Sequence, residues 1–508
     1  MGRSSALVRV LAAWALFSSG QWMVMVALGV YAYDRSGAGG VAAVTVARLL
    51  PSVLVAPVVG ALVDRVDRAR VVAGACVLQT LAVAALAACV WQEGAMVVVA
   101  VVTALAAAAG TPVRPALQAI LPALARTPAE LTRATAGWGA VDSVGFLAGA
   151  GLGGLLVAVV GSGAVLAVSA ASALVTTLVI VGLPSTRATV AGDDGDDSSG
   201  VLAGLRVVAR TRLLHAPFAL FVGLLLLEGA TDVLLVALAI DELGLGSGGP
   251  GLLYAAWGAG GLLGSAVLLA VVRRAGYGRA LLLGAAVFGT VLGLSGVGGA
   301  AVVVVAMVPV GLGFGLVESA MMGVVPRLAD DAVIGRVYAV CEVLYAGVAA
   351  LGAVLTPLLI HLVGVRGGLA VTGAAYALLA LGSAYPCLRL DRGEQRAHRV
   401  RELLHGVPFL ALLPLPQLER LVRTARPVDV PAGAEVFHLG DVGDEFFVVE
   451  TGAIDVTEFG RRLGPGDGFG EVALLQDVPR TSTVLARQDA TLWAVGRAPF
   501  LAAVQQRD

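Results

Sequence analysis

The sequence predicts a helical membrane protein of twelve spans in two groups of six, followed by a small β-rich domain. Three observations predict it. Apolar runs recur from residue 11 to residue 387, each near the roughly 20 residues that a helix needs to cross a bilayer. Hydrophobic residues make up 58% of the 508 and charged ones only 14%, with a mean hydropathy of +0.90, which excludes an ordinary soluble protein. After Leu388 the composition turns abruptly polar, and short alternating runs separated by glycines take over, the pattern of strands and turns.

The spans fall at 11–33, 40–62, 71–91, 95–118, 138–160 and 164–183, then at 215–239, 250–272, 280–298, 300–324, 336–362 and 366–387. The first has a basic start but no small-residue cleavage site before Gln21, so it reads as a retained span, not a signal peptide. Arginine placement checks the count. The chain has no lysine, and its 34 basic residues are all arginine. Alternate connections carry Arg65, Arg68 and Arg70, then Arg126 and Arg133, then Arg187, Arg206, Arg210 and Arg212. Later ones carry Arg273, Arg274 and Arg279, then Arg327 and Arg336, then Arg389 and Arg392, while the opposite loops hold little beyond Arg35 and Arg366. By the positive-inside rule both termini are cytoplasmic. That expectation puts the chain in the plasma membrane, with the lipid bilayer as its first partner.

The expected divisions are an N-terminal six-helix half at 1–184, a central loop at 185–214, a second half at 215–388, a connector helix at 389–407 and a carboxyl domain at 408–508. The central loop holds Asp193, Asp194, Asp196 and Asp197 among glycines and serines and reads as a solvated linker. The basic stretch after it reads as a short interfacial helix. The halves look like weak copies. GALVDRVDRAR follows the second span and VVRRAGYGR the eighth; AILPALARTPAEL follows the fourth and GVVPRLADDAVIGR the tenth. Similar loops at corresponding places mark a duplicated carrier. Runs such as GFLAGAGLGG at 145–154 suit closely packed, sliding helices.

Gly60, Asp64, Arg65 and Arg68, within GALVDRVDRAR, resemble the loop that marks the major facilitator superfamily between its second and third spans. Asp67 stands where that pattern has glycine. A carboxylate and guanidinium groups at a helix end can pair across the seam between half-bundles and latch one conformation. The resemblance covers about residues 7–388 and looks nearest to bacterial drug-efflux-like members with an arginine in the fourth span, here TPVRPALQAILP. It implies a two-half carrier that exports a small lipophilic compound.

Ionisable groups inside apolar spans must face partners or a cavity. Here they are Arg48, Arg114, Asp142, Glu228, Asp232, Glu318 and Glu342. Glu228 and Asp232 sit four apart on one helix face; either, or Glu318, is a candidate proton carrier, while Asp142 and Glu342 are candidates for gating ion pairs. Trp14, Gln21, Trp22, Met25, Trp138, Trp257 and Met307 are candidate cavity walls. The four cysteines and five histidines match no metal-ligand or disulfide spacing, and no motif of a hydrolase, a metalloprotease or a nucleotide triphosphatase occurs. The chain is not expected to be an enzyme, and transport is expected to run on an ion gradient.

Phe469–Val484, FGEVALLQDVPRTSTV, carries the other chemistry. Gly470 and Ala473 let an anion approach backbone N–H groups, Arg480 offers a forked charged contact, and Glu471 can accept from a sugar hydroxyl. With VPFLALLPLPQLERL and VPAGAEVFHLGDVGDEFFVVETG upstream, the stretch resembles the cyclic nucleotide-binding domain family over about Val407–Val495. The resemblance implies a β jelly roll whose cassette, here Phe469, Gly470, Glu471, Val472, Ala473, Arg480, Thr481 and Ser482, grips the cyclic phosphate and ribose of cAMP or cGMP. Thr481 stands where cAMP-selective kinase domains have alanine and resembles the threonine of cGMP-selective ones; bacterial members vary there, and cAMP is the favoured ligand. Only APFLAAVQQ remains for a helix over the base.

The expected whole is a secondary transporter, proton-coupled and regulated by cytoplasmic cyclic nucleotide, with no metal. A receptor that signals without transporting and a constitutive exporter with a vestigial sensor are the alternatives. No helix-turn-helix follows the strands, so nucleic acid is not an expected partner. Monomer and homodimer are equally compatible with the sequence.

Overall fold

The computed structural model describes residues 3–124, 128–181, 197–328 and 334–505; within these, the side chains of some short stretches, 56–58 and 60–65 among them, are not described. The chain forms two compact units, Met1–Leu388 and Arg389–Asp508.

The first unit is helical. Its elements are α1 (Arg3–Arg65), α2 (Arg68–Trp91), α3 (Met96–Gly110), α4 (Val113–Leu124), α5 (Pro128–Ile180), α6 (Asp197–Arg210), α7 (Arg212–Ala237), α8 (Gly249–Ala275), α9 (Tyr277–Ser295), α10 (Ala300–Leu328) and α11 (Ile334–Gly382). Among the described residues nine helices are long and apolar enough to cross a membrane, not the twelve separate spans expected. The difference lies at three expected connections. In α1, α5 and α11 the helical run continues across them, redirected at Gly37, Gly161 and Gly364. Their φ values of 59°, 80° and 73° are open to glycine at little steric cost. The sequence reading breaks at these same places, but the turns are tight enough for the helical run to pass through them. The three apolar runs are 50, 48 and 43 residues long, against about 20 for one crossing.

Large apolar side chains point outward along these helices; Leu78, Val97, Val159, Val305 and Leu378 are all exposed. A surface of this kind is stable against lipid, not water. Inside, α1 packs along α5, α7 along α11 and α8 along α10, and the halves meet where α1 lies on α11 and α5 on α8. Glycines set the last contact. A Cβ on Gly154 would come 2.6 Å from Gly251 Cα, and one on Gly251 would come 2.4 Å from Gly154 Cα.

α12 (Ala384–Gly406) begins before the expected connector of 389–407 and ends one residue short of its close, and carries Val400 and Leu404 into the core of the second unit. There follow α13 (Leu415–Thr424), β1 (Arg426–Val430), β2 (Glu435–Phe437), β3 (Glu445–Thr451), β4 (Ile454–Val456), β5 (Arg461–Leu463), β6 (Gly468–Phe469), α14 (Glu471–Gln476), β7 (Val484–Ala486), β8 (Ala490–Gly496) and α15 (Arg497–Gln505). The strands form two antiparallel four-stranded sheets, ordered β1-β8-β3-β6 and β2-β7-β4-β5. The expected closed jelly roll is therefore corrected to two open sheets. No ladder joins them, because strands of two to seven residues end before they can bridge from one sheet to the other. What holds them is the apolar layer between, where Val430, Phe447 and Val449 of one meet Ile454, Val456 and Val484 of the other. On the far side of the first sheet, Leu404, Leu418, Leu421 and Phe500 pack against Phe446 and Val495.

Candidate functional site

The cassette forms where β6 runs into α14. Gly470 is left-handed, with φ 88° and ψ 2°, and opens a single helical turn whose first N–H groups have no acceptor within the turn. A side chain there would also collide with its neighbour: a Cβ would lie 2.6 Å from Arg480 Nη1. Ala473 is buried, and Gly443 on the facing loop leaves the room it fills, since a Cβ on Gly443 would come 2.5 Å from the Ala473 methyl.

Arg480 organises the site and is 4% exposed. Its Nη1 donates to Gly470 O at 3.0 Å and its Nη2 to Glu445 O at 2.8 Å. The guanidinium lies 4.0 Å from the ring centre of Phe437, a cation–π contact. Its main chain is pinned as well: Arg480 N donates to Asp441 O at 2.8 Å and Gly440 N to Arg480 O at 2.9 Å. Burial pulls the guanidinium below its ordinary pKa, against the opposing charges of Asp444, Glu445, Asp441 and Glu471. One donor is left over. Arg480 Nε is buried without a hydrogen-bond partner, next to a turn that offers backbone amides. A buried unmatched donor beside an anion-accepting turn fits a cyclic phosphate.

The remaining predicted cassette residues divide. Glu471 and Val472 are half-buried, Thr481 is exposed, and Ser482 is buried. Phe469 stacks on Phe447 at 5.4 Å and belongs to the core between the sheets. Phe437, Gly443 and Glu445 enter the site although the sequence reading did not single them out; the FHLGDVGDE run that carries them was read as a strand and turn only.

In the first unit a cavity of about 890 Å³ is bounded by both halves and lined in part by Trp14, Gln21, Trp22, Arg48, Arg114 and Tyr345. Asp142 and Glu342 also face it. Arg114 Nη2 stands 3.6 Å from Asp142 Oδ2, with Ser18 Oγ donating to Asp142 Oδ1 at 3.4 Å, so this pair lies within the first half. Arg48 pairs across the halves, its Nη2 3.1 Å from Asp232 Oδ2. Tyr254 donates to Asp232 Oδ1 at 3.1 Å, and Tyr345 to Glu228 Oε1 at 2.8 Å. Glu318 lies within electrostatic reach of Arg114, Asp142 and Glu342. Met25 lines a smaller cavity, whereas Trp138, Trp257 and Met307 are buried in packing. Tyr254 and Tyr345 were missed; Tyr345 follows Glu342 by three positions on the same helix, the one signal that pointed to it.

Of the predicted latch, Arg68 donates from Nη1 to Ala119 O at 2.8 Å. The side chains of Gly60, Asp64 and Arg65 lie outside the described residues. Asp67 accepts from Arg70 N and caps α2. The four cysteines are free, and among the described residues no cluster suits a metal ion.

A multi-span membrane unit with a central charged cavity, joined to a β domain built around a buried arginine and a glycine turn, defines a membrane carrier with a ligand-binding appendage. Residues 10–353 match the Major Facilitator Superfamily; the chain belongs to that family. Residues 427–507 match the cyclic nucleotide-binding domain and constitute such a domain. Neither family is catalytic. Over 72 residues the chain is 40% identical to the cAMP-dependent protein kinase regulatory subunit of Yarrowia lipolytica, covering 14% of this chain and 19% of that protein. Over 117 residues it is 38% identical to the corresponding subunit of Blastocladiella emersonii, covering 21% and 28%. The chain thus spans less than a third of the length of these curated relatives. The crystal structure of nucleoside transporter NupG matches 75% of this chain and 98% of its own, with a TM-score of 0.63 and 13% identity, a likeness of fold alone.

Proposed function

We propose that the protein is a secondary active transporter, proton-coupled, that exports a small lipophilic compound under the control of a cyclic nucleotide bound at Gly470, Glu471, Ala473 and Arg480. The observation that carries the reading is Arg480: buried, aimed at the Gly470 turn, and holding one unmatched donor. Likeness to two cAMP-dependent kinase subunits favours cAMP over cGMP. The cavity supports a substrate of drug-like size, since its walls combine indole and phenol rings with both signs of charge. Its acids, held near arginines inside the membrane unit, support coupling to protons. The arginine-rich connections favour a plasma-membrane protein with both termini in the cytoplasm, where cyclic nucleotides are made.

The test uses the full chain in lipid vesicles with a fluorescent lipophilic dye as probe. An imposed proton gradient should drive dye movement, and dissipating the gradient should stop it. Dye movement indifferent to the gradient would remove proton coupling. Absence of movement for a panel of dyes, together with saturable cAMP binding, would favour the non-transporting receptor.

A further inference from the structure

Glu228 and Asp232 stand one turn apart on α7, in the second half, and Arg48 reaches them from α1 in the first. Asp232 has a donor at each oxygen, Arg48 at 3.1 Å and Tyr254 at 3.1 Å. Glu228 is treated differently. Tyr345 of α11 serves its Oε1, but its Oε2 is buried with no hydrogen-bond partner. An ionised oxygen left bare in an apolar interior is costly, whereas a neutral acid with its proton on Oε2 is not. Glu318, from α10, is the further charge that bears on Glu228. One guanidinium therefore serves the α7 pair, and it is spent on Asp232.

The surroundings of the two acids also differ; Glu228 itself is not among the residues lining either cavity. Tyr345, the partner of Glu228, lines the large cavity. Asp232 and Tyr254 line a separate one of about 20 Å³, room for about one water molecule. Arg48 lines both.

We propose that Arg48 is shared between Asp232 and Glu228, and that the two carboxyls trade a proton against it. In this structure Arg48 pairs with ionised Asp232 and Glu228 is the acid. When the halves move relative to one another and Arg48 comes opposite the preceding turn of α7, about 5.4 Å along its axis, Arg48 pairs with ionised Glu228 and Asp232 is the acid. In that step the O–H bond at Glu228 Oε2 breaks and its proton passes to water in the large cavity, past the Tyr345 hydroxyl. Asp232 Oδ2, as Arg48 leaves it, takes a proton that enters from the aqueous phase and is relayed through the water of the small cavity, which is left as neutral water. The trio is neutral before and after, so no unpaired charge is left in the membrane interior. The exchange rests on the proton-coupled reading for its purpose, but its test needs no substrate.

The test is an infrared pH titration of the full chain in lipid vesicles, reading the carbonyl stretch of protonated carboxylic acids. Glu228→Gln should remove one acid band at neutral pH, and Glu318→Gln should leave that band in place. In Asp232→Asn the guanidinium is released to Glu228, whose band should vanish at a pH lower by roughly 1–3 units. In Arg48→Gln a new acid band from Asp232 should appear. A spectrum unchanged by Glu228→Gln, or a Glu228 titration unmoved by Asp232→Asn, would overturn the proposal. Should Glu228→Gln not fold, Tyr345→Phe replaces it: without its donor, the acid band should persist to higher pH, and an unmoved titration counts against the exchange. Dye transport that survives a failed titration leaves the transporter reading standing; a successful titration without transport leaves the exchange and removes the transporter.

Discussion

Arg480 holds its own site together as well as offering it to a ligand, and this decides how it can be tested. Truncation in Arg480→Ala strips donors from Gly470 O and Glu445 O and vacates the space over Phe437, so lost binding would be mixed with lost structure. Arg480→Lys keeps the charge but not the fork. Calorimetry should show cAMP affinity falling by about 3 kcal/mol, on the order of a hundredfold in Kd, with the domain still folded by circular dichroism. Gly443→Ala tests the neighbouring fit. Its methyl meets Ala473 at 2.5 Å, so the cassette must give way, and affinity should drop by about tenfold or more, roughly 1–3 kcal/mol of overpacking. The sequence reading named Gly470, Glu471, Ala473 and Arg480 from one short run. It did not lead to Glu445, which meets Arg480 from 35 residues away, or to the core role of Phe469, since an aromatic beside a binding turn reads the same either way.

At the scale of elements, the contact between α5 and α8 depends on backbone meeting backbone. Gly154→Ala or Gly251→Ala places a methyl where the opposite Cα already stands. Either should lower the midpoint of thermal unfolding of the solubilised protein, a destabilisation of about 1–3 kcal/mol; an unchanged midpoint would mean the halves do not press together there. Helices were the most legible part of the sequence, because apolar runs report burial in lipid directly. Their connections were the least legible. Hydropathy marks an interruption at Gly37, Gly161 and Gly364 but does not say whether the helical run stops there or is only redirected within a residue or two. Twelve separate spans were therefore expected where, among the described residues, nine membrane-length helices stand. Strands β2, β3, β4 and β8 were legible as short apolar runs between glycines, but such runs do not say whether sheet edges close.

At the scale of the whole molecule, the chain divides at Leu388 and Arg389, the point where the sequence changes from apolar to polar. Composition alone gives no sign of the cross-half pair of Arg48 and Asp232, because 184 positions separate them and only the packing of α1 against α7 brings them together. A unit with its own two cores should fold alone. Residues 389–508 expressed separately should bind cAMP with the affinity of the full chain to within about threefold, and a large loss would mean that the carrier supplies part of the site. The central claim is that nucleotide on the sensor changes the working rate of the carrier, and a ligand does so only as far as it favours one state over another. The direct measurement is proton-driven dye transport by the full chain in vesicles, with and without saturating cAMP at the face that carries the sensor. The account predicts a change of rate that is lost in Arg480→Lys at the same cAMP concentration; equal rates with the site demonstrably filled would contradict it.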